Sequence, residues 1–230
     1  MGSTRFTVVF LRHGQTAHNE RRILQGHHDA PLNANGRKQS DRTGKALSNK
    51  IFHRIISSDL ARAFETAEIV KKNAGSSWPA VEKVTEFRER MFGAAENRPL
   101  AEFIKSVVKS GEKPEYYTPE GAETPKIFAG RIKKCLHDVV LSKAKKEDCI
   151  LVVCHGGVIR EIIKYLMSLE IETFGIELRV ATSPNTGISE IIFDVEDDVI
   201  KSIDTILLYD KSHLEPEDNS QQDVFKDNIR

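Results

Sequence analysis

The chain has 230 residues, enough for one large domain whose core needs no metal or disulfide staple. Lys plus Arg equals Asp plus Glu at 34 each, and the only basic runs are pairs such as Arg21-Arg22 and Lys133-Lys134, which disfavours a general nucleic-acid binder. Three cysteines without C-x-x-C spacing argue against a disulfide scaffold or a cysteine zinc site, and the first apolar stretch is too short for a signal peptide or a membrane span.

Taken in chain order, residues 6–11 are β-branched and aromatic and read as a buried strand ending at a charged loop. Residues 33–47 read as a polar-capped helix after Pro31. Ile55-Ile56 is a short apolar core before Ser57-Ser58-Asp59, a helix N-cap signal. The helix behind it places Leu60, Ala63, Phe64, Ala67 and Val70 on one side. Residues 75–79 form a turn, and 81–84 a further strand. From 87 to 122 the pattern weakens around one helix at 100–109, which predicts an inserted cap. Thr124-Pro125 then opens a helix that repeats Phe128, Ile132, Cys135, Leu136 and Val139. Residues 150–154 are a continuous apolar strand, as parallel central strands tend to be. Gly156-Gly157 opens another helix, and 188–195 and 199–207 are the last strands. This alternation predicts an α/β fold: a three-layer sandwich with a mostly parallel central sheet, one domain over residues 1–209. Residues 210–230 are acidic (Glu215, Glu217, Asp218, Asp223) and are expected to form a flexible tail.

In such sheets ligands bind beyond the carboxyl ends of the strands. Two of the predicted strands carry histidine there: Arg12-His13-Gly14 after the first, and Cys154-His155-Gly156-Gly157 after the central one. Glycine lets a ligand approach the backbone, and a helix start favours an anion. Arg12 supplies a planar fork of donors, and Arg62 falls in the first turn of a helix that begins at another strand end. Two histidines and two arginines at strand ends suit a phosphoryl group. A metal is the competing reading of the histidines, but the H-x-x-x-H spacing and clustered carboxylates that would support it are missing. Cys154 beside His155 is either a redox-sensitive thiol or an inert strand residue.

Leu11-Arg12-His13-Gly14-Gln15-Thr16 with Asn19 resembles the signature of the histidine phosphatase (phosphoglycerate mutase-like) superfamily. Gln25-Gly26, Ser58-Asp59-Leu60-Ala61-Arg62, Phe87-Arg88-Glu89-Arg90 and Cys154-His155-Gly156-Gly157 follow in that family's order, so the likeness runs from residue 5 to about 207. The loops at 117–124 and 183–187 are most similar to those of TIGAR-type fructose-2,6-bisphosphatases, although 143–149 is a short link where vertebrate members carry an insertion. The resemblance implies a nucleophile at His13 and phosphoryl binding by Arg12, Arg62 and His155. It implies proton transfer by Glu89, whose bland alternative is a surface ion pair with Arg88 or Arg90. It implies substrate contacts from Asn19, Gln25, Gly26 and Gly156. The expected activity is metal- and cofactor-independent hydrolysis of a small phosphate ester, such as a sugar or glycerate bisphosphate, in the cytoplasm. A cofactor-dependent phosphoglycerate mutase, a broad phosphomonoesterase and an idle binding protein are the alternatives. The sequence leaves the oligomeric state open.

Overall fold

The computed structural model describes residues 3–74, 78–113 and 116–214. Among the described residues seven strands share one sheet: β1 (Thr4–Arg12), β2 (Arg54–Ser57), β3 (Val81–Lys83), β4 (Cys149–Cys154), β5 (Glu172–Gly175), β6 (Ile188–Glu196) and β7 (Val199–Asp210). Their spatial order is β3-β2-β4-β1-β6-β7-β5, and β6 alone runs against the rest. The β6–β7 hairpin turns at Asp197 and Asp198, with φ of 49° and 61°, the double left-handed geometry that suits the twist of paired strands.

Period-two alternation sorts the central strands onto two faces. Phe6, Val8 and Phe10 of β1, with Ile150, Val152 and Cys154 of β4, pack against helix α5 (Pro125–Cys135) and helix α6 (Gly156–Met167). Val9, Leu11, Leu151 and Val153 face the other way, onto helix α2 (Ala34–Ala46) and helix α3 (Ala61–Ala74). The sheet is thus the middle of three layers, and each fully buried aliphatic side chain contributes about 1.5–3 kcal/mol. The expected stripe on α3 is buried at Leu60, Ala63, Ala67 and Val70, while Phe64 is half-exposed under the Lys83 ammonium.

Local chemistry explains the element ends. Asn33 caps α2 by accepting from the Gly36 N–H at 2.8 Å, and Thr124 caps α5 by accepting from that of Ile127 at 3.2 Å. After Cys135 the helix continues as a π turn (Leu136–Val140) and a 3-10 turn (Leu141–Lys143). Two elements lacked a readable signal: the one-turn helix α1 (Ala17–Glu20), and β5, an exposed edge strand of four residues beside β7.

Between β3 and α5 run two 3-10 turns and helix α4 (Leu100–Ser110), which ends on left-handed Gly111 at φ 72°. Backbone bonds from Leu24 to Arg98 (2.9 Å), Asn97 to Leu24 (2.9 Å) and Leu100 to Arg22 (2.8 Å) stitch this segment to the loop after β1. At the other end of the chain, His213 reaches Thr43 Oγ1 at 3.1 Å and Leu214 is buried, so the first residues past β7 pack on the domain instead of leaving it. The rest of the expected acidic tail, and part of the 75–79 turn, lie outside the described residues. Among the described residues no helix is long and apolar enough to cross a membrane.

Candidate active site

β1 and β4 end side by side, with Arg12 opposite Cys154, so Arg12, His13 and His155 emerge at one sheet edge. Ser57 of β2 stands opposite Val153, which brings Ser58 and Asp59 to the same edge. α3 begins just beyond, with Arg62 in its first turn.

His13 is buried. Its backbone N–H donates to the Cys154 carbonyl at 2.9 Å, and its Nδ1 lies 2.7 Å from the Gly14 carbonyl. A carbonyl only accepts, so Nδ1 carries the proton and Nε2 keeps its lone pair. Burial, then Arg62 and Arg12, hold the His13 pKa well below the ordinary 6.5, against the opposing pull of the Gly14 bond. The His155 ring lies 5.2 Å away, centroid to centroid. His155 is the N-cap residue of α6, and its Nε2 sits 2.9 Å from the Ser58 hydroxyl. Burial, then Arg62 and His13, push its pKa the same way. Both imidazoles are therefore neutral at neutral pH.

Arg62 is 1% exposed. Its η nitrogens donate to the carbonyls of His28 (2.9 Å) and Gly26 (2.8 Å). Burial pushes its pKa down to about 10, although the carboxylates of Glu89 and Asp29 act in the opposite direction. Gly26 stands at φ +55°, and a Cβ there would come within 2.1 Å of Glu96 Oε1, the atom that accepts from the His27 N–H at 2.9 Å. Arg12 donates to the Ser183 carbonyl at 2.5 Å and lies over Gly156, where a Cβ would be 3.4 Å from its Nε.

Glu89 reaches the start of α6. Its Oε2 accepts from the Gly157 N–H at 2.8 Å and its Oε1 from the Arg90 N–H at 2.9 Å. The neighbouring guanidiniums are engaged elsewhere. Arg88 forks onto Asp59 at 2.7 and 2.5 Å, and Arg90 donates to the carbonyls of Glu123 (2.9 Å) and Tyr117 (2.8 Å). The surface ion pair considered for Glu89 is therefore not what its side chain makes.

Asn19 and Gln25 sit together on Thr16, whose hydroxyl lies 3.1 Å from Asn19 Oδ1 and 3.0 Å from Gln25 Oε1. Both side-chain oxygens are used inside the loop, so each can offer a ligand its amide NH2. Several organising residues had no sequence signal. Arg131 of α5 donates to the carbonyls of Glu86 (2.5 Å), Arg88 (3.0 Å) and Glu89 (3.2 Å) while forking onto Glu123. Asn185 donates to the His13 carbonyl at 3.0 Å, and His27 to that of Glu89 at 2.8 Å. These are mostly long-range contacts from side chains to backbone carbonyls, which no local pattern reveals. Cys154 is fully buried and burial pushes its thiol pKa far up, which favours the inert reading.

The arrangement is a buried cationic cluster with an unprotonated imidazole nitrogen, suited to an anionic electrophile. Residues 8–205 match the model of the histidine phosphatase superfamily, branch 1. The chain belongs to the histidine phosphatase superfamily. This histidine phosphatase is a phosphoric monoester hydrolase. It is 34% identical to the fructose-2,6-bisphosphatase TIGAR of Xenopus tropicalis, over 83% of this chain and 87% of that one. It is 32% identical to a broad-specificity phosphatase of Saccharomyces cerevisiae, over 69% of each chain. Its fold superposes on the crystal structure of a phosphoglycerate mutase from Bacillus anthracis with a TM-score of 0.76 at 26% identity, covering 92% of this chain and 96% of that one.

Proposed function

We propose that this histidine phosphatase hydrolyses a small phosphorylated metabolite through a phosphohistidine on His13. The observation that carries the reading is the bond between His13 Nδ1 and the Gly14 carbonyl at 2.7 Å, which leaves Nε2 as the nucleophilic nitrogen beside Arg12, Arg62 and His155. Nε2 attacks phosphorus, the bond to the leaving oxygen breaks, and its electron pair departs with that oxygen. Glu89 in its acid form protonates the leaving oxygen. As a carboxylate it then takes a proton from the water that attacks the phosphohistidine. Arg12 and Arg62 neutralise the phosphoryl oxygens throughout and His155 donates a hydrogen bond to them, which is most of what phosphoryl transfer requires. Asn19, Gln25, Gly26 and Gly156 hold the phosphate and the substrate body.

The substrate class favoured is a sugar or glycerate bisphosphate, with fructose-2,6-bisphosphate first. Two observations support it. One is the 34% identity to a fructose-2,6-bisphosphatase. The other is a pair of cations: the Arg90 guanidinium, held on the carbonyls of Glu123 and Tyr117, and Arg160, which lies one turn along α6 from Gly157 and close enough to lower the Arg90 pKa. On this reading these cations receive the second anionic group. The mutase reading keeps one supporting observation, the superposition on a phosphoglycerate mutase at a TM-score of 0.76.

The test is phosphate release, in the presence of a chelator, from fructose-2,6-bisphosphate, 2,3-bisphosphoglycerate, 3-phosphoglycerate, phosphoenolpyruvate and p-nitrophenyl phosphate. Preferential hydrolysis of a bisphosphate, abolished in His13→Ala, is the expected result. Even activity on monophosphates would make this a broad phosphatase. Interconversion of phosphoglycerates without release would make it a mutase. A labelled, acid-labile phosphoprotein that forms in the wild type and not in His13→Ala is the expected sign of the intermediate.

A further inference from the structure

Ser58 is the first residue past β2 and is fully buried, with its hydroxyl 2.9 Å from His155 Nε2. The other ring nitrogen, Nδ1, is buried and makes no hydrogen bond. The charged and aromatic groups around this ring are Arg62, His13, Arg12 and His27, all of the site described above. A neutral imidazole has two nitrogens and one proton, so the position of that proton is a structural choice. With the proton on Nε2, donating to Ser58, the ring would present a lone pair at Nδ1 to an incoming phosphoryl oxygen, and the two would repel. With the Ser58 hydroxyl donating to Nε2, Nδ1 becomes an N–H donor toward that oxygen. The Leu60 N–H lies 3.4 Å from Ser58 Oγ on the accepting side, which leaves the hydroxyl proton for His155.

Resting on the reading of His155 as a phosphoryl-binding group, we propose that Ser58 is a positioning residue that fixes the tautomer of His155, holding the proton on Nδ1 so that this nitrogen donates to the transferring phosphoryl group. The two imidazoles are then set in opposite roles by one neighbour each. The Gly14 carbonyl takes the Nδ1 proton of His13 and leaves a lone pair for attack. The Ser58 hydroxyl fills the Nε2 lone pair of His155 and leaves a donor. Because burial and the guanidiniums keep both rings neutral, neither role is overwritten by a second proton.

The test is the histidine side-chain 15N NMR spectrum of the full chain at neutral pH, read beside steady-state kinetics. The wild type should show a protonated Nδ1 and an unprotonated Nε2 at His155. Ser58→Ala should move the proton toward Nε2 and lower kcat roughly 10- to 100-fold, with a smaller change in KM. Ser58→Cys, which keeps a weak donor, should recover part of both. An unchanged His13 pattern in each variant reports an intact site. An Nε2–H form of His155 in the wild type would overturn the role of Ser58, as would a Ser58→Ala variant with kcat within twofold of wild type. Should that variant not fold, the wild-type spectrum decides alone. An active chain with the Nε2–H spectrum defeats only the role of Ser58. A chain inactive on every ester defeats the reading of His155 itself, whatever the spectrum shows.

Discussion

Gly157→Ala isolates the contribution of Glu89 without touching that residue. A Cβ at Gly157 would lie 2.0 Å from Glu89 Oε1, 2.8 Å from its Cδ and 3.0 Å from Oε2. The carboxylate must retreat by more than about an ångström to reach ordinary contact, and it then leaves the Gly157 N–H that now donates to it at 2.8 Å. A hydrogen bond to a charged group is worth about 1.5–3 kcal/mol, but the glycine lies inside α6, where alanine is the better helix former by about 1 kcal/mol. The helix gain recovers only part of the lost bond, leaving a net loss of about 0.5–2 kcal/mol, so the melting temperature should fall by a few degrees at about 2–4 °C per kcal/mol. Catalysis has no such compensation. A misplaced proton donor forfeits much of the roughly 100- to 10,000-fold that general acid catalysis supplies. We expect kcat/KM, which reports only the phosphorylation half-reaction and not the shared hydrolysis of the phosphohistidine, to fall about 100-fold on a sugar phosphate and much less on p-nitrophenyl phosphate, whose leaving group needs no proton. Steady-state kinetics on both esters, with a thermal melt as the fold control, measure this. An equal loss on the two esters would refute Glu89 as the proton donor.

Three further outcomes follow from the geometry. His13 and His155 have folded-state pKa values lowered by burial, so the unfolded chain binds more protons as pH falls below about 6.5; stability is therefore lost on the acid side, by up to about 1.4 kcal/mol per pH unit for each histidine. Urea melts between pH 7 and 5 should show a shallower loss in His13→Gln, and an identical slope would contradict the neutral, buried state of that ring. Arg62→Lys replaces a fork that spans two carbonyls, at 2.9 and 2.8 Å, by a point charge, and should lower kcat/KM about 100-fold; activity within fivefold of wild type would show that the fork geometry is dispensable. Cys154 should resist iodoacetamide in the native chain at pH 8, and activity should survive peroxide; mass-spectrometric detection of alkylated Cys154 without unfolding would revive the redox reading.

How far the sequence could be read depended on whether a residue's role was set locally. β1 and β4 are buried on both faces, and their unbroken apolar runs declared them. Arg12, His13, Arg62 and His155 stood out because strand ends and helix starts carry ligand chemistry whatever lies around them, whereas Glu89, in the loop after a 3-10 turn, was marked only by the family resemblance. The reversed direction of β6 was not legible: an antiparallel strand beside β1 has the same apolar texture as a parallel one, and only the pairing distinguishes them. β5 was missed because ETFG is short and fully exposed, with nothing to bury in alternation. The supports of the site were hidden for a related reason. Ser58, Arg131 and Asn185 act on partners 97, 42 and 172 residues away, and a serine at an N-cap signal gives no hint that its hydroxyl serves an imidazole.

Charge accounts for what this arrangement costs the fold and for what should relieve it. Arg62 is buried on two carbonyls, and Arg12 lowers its pKa further; both guanidiniums help to keep His13 and His155 neutral. These like charges oppose one another in the folded chain and are dispersed in the unfolded one, so an anion that binds between them stabilises the native state selectively. Linkage gives about 2.7 kcal/mol at a hundred times the dissociation constant, and at about 2–4 °C per kcal/mol in a domain of this size the melting temperature should rise roughly 5–10 °C. The comparison is inorganic phosphate against chloride at equal ionic strength, in the wild type and in Arg62→Ala. A rise confined to the wild type would tie the stabilisation to the guanidinium pair. If phosphate left the wild-type melting temperature at its chloride value, the carbonyls alone would satisfy Arg62, and the pocket would not be the anion trap on which the phosphoryl-transfer reading depends.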